Sequence, residues 1–304
     1  MPNWSEVLKE IDGVQESISR QSSLDIVRRK YLKRLFNLTH RNVIAYYSGF
    51  LQKPRYEDCI INDNDKNGFM TAIHQLDRSL GLDLLIHTPG GSTASVESLV
   101  DYLHKMFDRN IRAFIPQTAM SAGTMLACAC KEIVMGKHSN LGPIDPQFGG
   151  IPASGVIEEF ETAKEQIKKD PSCIPLWQVI IGKYHPAFIG DCVKAISWSK
   201  DMVRSWLENV MFYGDCNAKQ ISLSIVDHLC DHAHHKSHDR HITIDDCKNI
   251  NLKVIELESL DKKLRDTVLT IHHSFMHTFG HSQTAIKIIE NHRGIAMVNH
   301  ISRP

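Results

Sequence analysis

The sequence predicts an α/β fold with largely parallel strands, and three observations carry that expectation. Short apolar and β-branched runs, "NVIAYYSGFL", "LDLLIHT", "IRAFIP" and "EIVMG", alternate with helical segments such as "SVESLVDYLHKMF". This is the succession of buried strand and covering helix that a parallel sheet requires. The connections between the runs are short, so the runs belong to one domain. Finally, 304 residues with 42% hydrophobic content suffice for one large domain, or one domain with helical extensions.

Taken in order, the first forty residues show helix-like apolar spacing and end in the basic run "RRKYLKR". They read as a helical extension over residues 1–40, ahead of a main domain over 41–304. Within that domain, residues from about 170 to 235 are rich in Trp, Tyr, Pro and helical spacing and read as a helical insertion. The later stretch "LDKKLRDTVLTIHHSFMHTF" reads as a long amphipathic helix with its histidines on the polar face. The histidine-rich run "CDHAHHKSHDRHITIDDC" lacks the paired Cys and His spacing of a zinc site and reads as a solvated loop. We expect no metal and no organic cofactor.

Lysine plus arginine total 35 and aspartate plus glutamate total 35, so no whole-chain field recruits nucleic acid or an anionic membrane. A local basic patch stays open. The 8 cysteines lack the spacing of a disulfide framework and read as reduced thiols. No run reaches the roughly 18 apolar residues of a membrane span, and "MPNWSEVLKEIDG" has no apolar leader core. The expectation is a cytoplasmic chain with no integral membrane segment.

Two stretches are candidates for chemistry. "HTPGGS" at 87–92 follows the strand "LDLLI", and its Pro-Gly-Gly lets the backbone adopt positive φ and approach a ligand closely. Backbone N–H groups there can hold a developing oxyanion. "PQTAMSAGTMLACAC" at 116–130 surrounds Ser121 with small side chains at a strand-to-helix junction. Either Ser121 caps the helix, or it is a nucleophile whose surroundings are cleared for substrate. His87 ends its strand, where core packing or contact with the turn explains it. Asp145, between two prolines in "GPIDPQ", either satisfies turn N–H groups or orients a catalytic base.

"LLIHTPGGS", "PQTAMSAGTMLA" and "SNLGPIDPQ", in that order, resemble the peptidases of the Clp protease and crotonase fold. More narrowly they resemble the serine dehydrogenase proteinase family, relatives of signal peptide peptidase A. The resemblance runs from about "NVIAYYSGFL" to "IIENHRG". It implies a spiral of ββα units, with "ITIDDCKNINLKV" as the short helix and terminal strand that close the fold. It also implies that Ser121 is the nucleophile and that Gly90, Gly91 and the N–H of Ala122 form the oxyanion hole.

Clp-type peptidases place a histidine about twenty-five residues beyond the serine, and here that neighbourhood is "GPIDPQ". His138, in "MGKHSN", is nearer the serine and follows a strand end. The signal peptide peptidase relatives use a lysine, in the region that reads here "ASGVIEEFETAKEQIKKD". At ~100° per residue, Val156, Ile157, Phe160, Ala163 and Ile167 share one stripe and Lys164 falls inside it. A desolvated lysine gives up its proton more readily, so Lys164 is the expected base.

Three functions compete. The first is a serine peptidase cleaving proteins or peptides through an acyl-enzyme with a Ser121–Lys164 dyad. The second is a crotonase-type enzyme on acyl-CoA thioesters, against which the serine argues. The third is an oligomeric scaffold without activity. The family resemblance and the charged N-terminal helices suggest a homo-oligomer. No Walker-type loop is present, so any ATPase would be a separate chain.

Overall fold

The computed structural model describes residues 4–15, 22–54 and 57–301. Two helices, α1 (Trp4–Gln15) and α2 (Ser23–Thr39), lead into β1 (Asn42–Ser48). Next come α3 (Asn64–Ile73), β2 (Leu82–His87), α4 (Thr93–Phe107), β3 (Ile111–Ile115), β4 (Thr118–Ala119) and α5 (Ala122–Cys128). These are followed by β5 (Glu132–Met135), β6 (Asn140–Leu141) and a hairpin of β7 (Gln147–Phe148) and β8 (Ile151–Pro152). A helical block holds α6 (Ala153–Lys169), α7 (Ile174–Ile181), α8 (Phe188–Trp206), α9 (Ala218–Cys230), α10 (His232–His235) and α11 (Ile244–Asn249). The chain then runs through β9 (Val254–Glu256), α12 (Lys262–His281), β10 (Ala285–Asn291) and β11 (Ala296–His300).

The main sheet has the order β11-β10-β1-β2-β3-β5-β9. From β1 to β9 the neighbours are parallel, while β10 and β11 add an antiparallel edge. Period-two alternation divides the strand side chains between two cores. Ile44, Tyr46, Leu84 and Ile86 face one core with the residues of α3, α4 and α5. Val43, Ala45, Tyr47 and Leu85 face the other, with α2 and α12. Burial on both faces is why the strand sequences read as continuous apolar runs.

Three details sharpen or change the sequence reading. The N-terminal extension packs on the rest of the chain: Leu32 and Leu35 of α2 are fully buried in the second core, because α12 and β1 leave a face for α2 to cover. The helical block runs from Ala153 to Asn249, wider than 170–235, and "ITIDDCKNINLKV" forms α11 and β9, the strand at one edge of the main sheet. His272 and His277 of α12 are buried, since α12 packs against the sheet as well as α1 and α2 and has little polar face left.

Buried charges fasten these layers. Arg28 of α2 is 1% exposed; its Nε donates to Glu290 of β10 and its Nη1 to Thr278 of α12 at 3.0 Å. Asp83 of β2, 0% exposed, accepts from Arg41 at 2.8 Å and from Arg112 at 2.9 Å. Lys287 of β10 and Asp65 of α3, 0% and 1% exposed, meet at 2.7 Å. Lys287 also donates to the Ile60 carbonyl at 2.7 Å, and Asp65 accepts from Tyr46 Oη at 2.7 Å and from the Asn62 N–H at 3.1 Å. The 8 cysteines are all free, and Cys128, Cys130, Cys230 and Cys247 lie in the first core.

Removing one partner of a buried pair strands the other charge. We expect Lys287→Met to lower the unfolding free energy in urea by about 3–5 kcal/mol. Asp65→Asn with Lys287→Met should recover part of that loss; a single-variant cost below about 1 kcal/mol would contradict this account.

Candidate active site

Beyond His87 the chain passes through Thr88, Pro89, Gly90 and Gly91 into α4, where the Ser92 hydroxyl caps the helix by accepting from Ser95 N–H. Gly90 and Gly91 have φ of 102° and 151°, which side chains other than glycine rarely adopt. Ile61 clamps this turn: its N–H donates to Gly90 O at 2.7 Å and its carbonyl accepts from Ser92 N–H at 2.9 Å. A Cβ on Gly91 would fall 2.4 Å from the Ile61 backbone, so no other residue fits. Gly90 N–H is occupied by Thr88 Oγ1 at 3.2 Å, whereas Gly91 N–H has no acceptor among the described residues.

The same turn positions the serine. Thr88 N–H donates to Thr118 O at 3.1 Å and Met120 N–H to Thr88 O at 3.0 Å, so β4 runs alongside the glycine turn. Ser121 follows with φ 51° and ψ −119° at the N-cap of α5. This sparsely populated conformation costs on the order of 1–3 kcal/mol. The half-buried Ser121 side chain makes no capping hydrogen bond, so its Oγ is not consumed by the helix. A Cβ on Gly90 would lie 2.6 Å from Ser121 Cβ and 3.1 Å from Ala122 N, so turn and serine touch.

The small side chains now have a reason. A Cβ on Gly123 would meet Thr88 Cγ2 at 2.5 Å, so α5 can lie against the turn only if its first residues are small. Thr124 secures the arrangement: its hydroxyl lies 2.8 Å from Ala119 O and accepts from Gly142 N–H at 2.9 Å. The N–H groups of Gly91 and Ala122, the latter at the start of a helix where no intrahelical acceptor exists, are the unoccupied donors beside Ser121.

The expected base is elsewhere in character. Lys164 is 63% exposed and pairs with Glu161 at 2.6 Å. α6 packs on α8 through a narrow seam that includes Ala153, Val156 and Ala163. Lys164 lies in phase between Phe160 and Ile157, at the margin of that seam, yet its side chain is in solvent, so the expected desolvation is not realised. His138 is exposed just beyond β5. Asp145 is buried at 3% exposure, and its Oδ1 lies 2.7 Å from Nδ1 of His238, with His232 Nδ1 3.5 Å from Oδ2.

The histidine run is thus less loop-like than expected, because Asp145, α10 and the bridge between Leu141 and Ile242 order it. Sequence reasoning missed His238 because its partner is 93 residues away. Among the described residues no group of three or more His, Cys, Asp and Glu is placed to hold a metal ion.

Behind the turn lies a buried polar cluster. His87, Tyr47 and His272 have ring centroids 5.3–5.9 Å apart, and Tyr47 Oη, both His87 nitrogens and His272 Nδ1 lack hydrogen-bond partners among the described residues. Burial pushes His87 down to about 3; the Thr118 backbone opposes this weakly, with geometry short of a hydrogen bond. Burial also lowers His272 well below its ordinary value, reinforced by neighbouring His87, His273 and His138.

This geometry agrees with what comparison with known proteins finds. The chain matches the family of ClpP-like SDH-type serine proteinases over residues 9–259 and belongs to it. Two relatives from Methanocaldococcus jannaschii carry no assigned function. The uncharacterized protein MJ0137 is 28% identical over 236 residues, 76% of this chain and 74% of its own. The uncharacterized protein MJ1495 is 28% identical over 228 residues, 75% of this chain and 68% of its own. No solved structure matches the chain. Among the described residues no helix is long and apolar enough to cross a membrane.

Two expectations follow from the site. Ser121→Gly should be more stable than Ser121→Ala by about 1 kcal/mol in urea unfolding, because glycine relieves the positive φ that alanine keeps. Equal stability of the two variants would contradict the strain. The second concerns pH. An unfolded histidine takes up its proton near pH 6.5, whereas folded His87 does so only at about 3. The unfolded chain therefore binds more protons in that window, and stability falls as pH drops from about 6.5 toward 3. Each such histidine contributes a slope of about 1.4 kcal/mol per pH unit, so His87→Phe should flatten the pH dependence of urea unfolding by that amount. An unchanged slope would count against it.

Proposed function

We propose that this proteinase-family chain is a serine peptidase that cleaves protein or peptide amide bonds through an acyl-enzyme on Ser121. One observation carries the reading: an unengaged, strained serine touches a glycine turn beside two unengaged backbone donors, Gly91 N–H and Ala122 N–H. Oγ attacks the scissile carbonyl carbon, and the charge that develops on the carbonyl oxygen is met by the two N–H groups. Gly90 supplies the close approach, its own N–H being taken by Thr88. Collapse expels the amine, which leaves with the proton the base removed, and water releases the acyl group by the same steps. The strand, short strand and helix of β3, β4 and α5 fit the ββα superhelix of Clp-type peptidases. A homo-oligomer in the cytoplasm, with residues 1–40 as a family-specific addition to the peptidase domain, completes the reading.

For the base, the geometry favours His238 over Lys164. Lys164 stands in solvent and is paired with Glu161. Asp145, in the neighbourhood where Clp-type peptidases carry a histidine, binds His238 Nδ1, which leaves Nε2 as the basic nitrogen. Leu141 pairs with both Ala119 and Ile242, so the segment carrying His238 joins the backbone ladder that leads into Ser121.

A fluorophosphonate probe should label wild type at Ser121 and leave Ser121→Ala unlabelled. His238→Gln and Asp145→Asn should slow ester hydrolysis by about 10²–10⁴, with Lys164→Arg near wild type. Loss in Lys164→Arg with retention in His238→Gln would return the base to Lys164. A folded wild type that the probe never labels would overturn the peptidase reading.

A further inference from the structure

At the opposite rim of the sheet, a groove of about 710 Å³ opens between α2, the start of β1 and the turn joining β10 to β11. It takes up most of what the basic run "RRKYLKR" left unexplained. Arg29, Lys30, Lys33 and Arg293 line it, against a single lining carboxylate, Asp77. That carboxylate is already engaged, accepting from Ser79 N–H at 3.1 Å and Ser79 hydroxyl at 2.6 Å. Lys30 is held by Glu10 at 2.5 Å. Arg29 Nε is held at 2.7 Å by Glu290, itself 0% exposed, and its terminal nitrogens have no partner among the described residues. Lys33 has no carboxylate partner among the described residues. Arg293 is braced by the Gln75 carbonyl at 2.9 Å.

The rest of the lining is of a different kind. Ile26, Leu76 and Leu80 give an apolar floor, and Phe36, stacked flat on His292 at 4.2 Å, gives an aromatic wall. Cations left over on one side and apolar surface on the other suit an amphiphilic anion, and the volume is that of a small-molecule site. In a chain with balanced charge, Lys33 and Arg293 have no carboxylate partner among the described residues, while Arg29 and Lys30 are paired with Glu290 and Glu10, so the groove keeps a local positive excess.

We propose that this groove binds a phosphate ester carried on an aromatic body, with the phosphate on Lys33, Arg29 and Arg293 and the body on Phe36, Leu76 and Leu80. The site lies at the start of β2 and Ser121 beyond its end, about 20 Å apart at ~3.3 Å per residue. The proposal does not rest on the peptidase reading.

Calorimetric titration of the full chain with ADP, adenosine and inorganic phosphate tests it. ADP should bind more tightly than either fragment, and raising the salt should weaken it because the contact is charged and open to solvent. Lys33→Glu and Arg293→Glu should each weaken ADP by about tenfold or more while leaving the unfolding midpoint of the unliganded protein and fluorophosphonate labelling of Ser121 unchanged. Phosphate binding as tightly as ADP would reduce the site to an ion site and overturn the aromatic half. Adenosine binding as tightly as ADP, or no binding of any of the three at millimolar concentration, would overturn the proposal.

Discussion

The ion pair between Lys287 and Asp65 is the constraint from which the candidate site takes its shape. Both charges are out of water, so each must be satisfied where it stands, and besides Tyr46 Oη their remaining partners are the backbone of residues 60 and 62. Ile61, fixed between those anchors, closes on the glycine turn from one side. The turn then sets β4, and β4 delivers the serine. A buried pair is weak evidence for net stability, since desolvation offsets much of its attraction. What it does here is specify: a charged network with few satisfied geometries leaves the turn few alternatives.

The candidate site is assembled at one rim of a parallel sheet, where successive strands end side by side. β2 contributes the turn with its free N–H, β3 through β4 contributes the serine, and β6 with the segment near Ile242 contributes Asp145 and its histidine. Each piece is short and irregular, and each is held by a regular element behind it. The conformational cost sits at Ser121, and the packing of α5 against Thr88 is what prevents its relaxation.

Much of this was readable in the chain, for physical reasons that differ by element. The strands were legible because burial on two faces leaves an unbroken apolar signature in β1 and β2. Gly90, Gly91 and Ser121 were legible because each sits where only a narrow choice of side chain fits. Lys164 shows where periodicity misleads: helical phase was right about the apolar stripe, but phase does not say how wide a strip a neighbour covers, and a seam against one helix is narrower than a face against a sheet. The same blindness placed the α12 histidines on a polar face when both sides of that helix are covered. Asp145 with His238 and Asp65 with Lys287 were illegible because long-range pairs leave no local pattern.

The free cysteines have a consequence for how the molecule can be watched. Burial pushes the thiols of Cys128, Cys130, Cys230 and Cys247 up, so in the closed protein they are neither ionised nor reachable. Cys216 is exposed and needs no motion to react. The protein therefore carries its own clock: Cys216 reports the chemistry of a modifying reagent, and the four thiols of the first core report how often that core opens, element by element, from the α5 side at Cys128 and from the α11 side at Cys247.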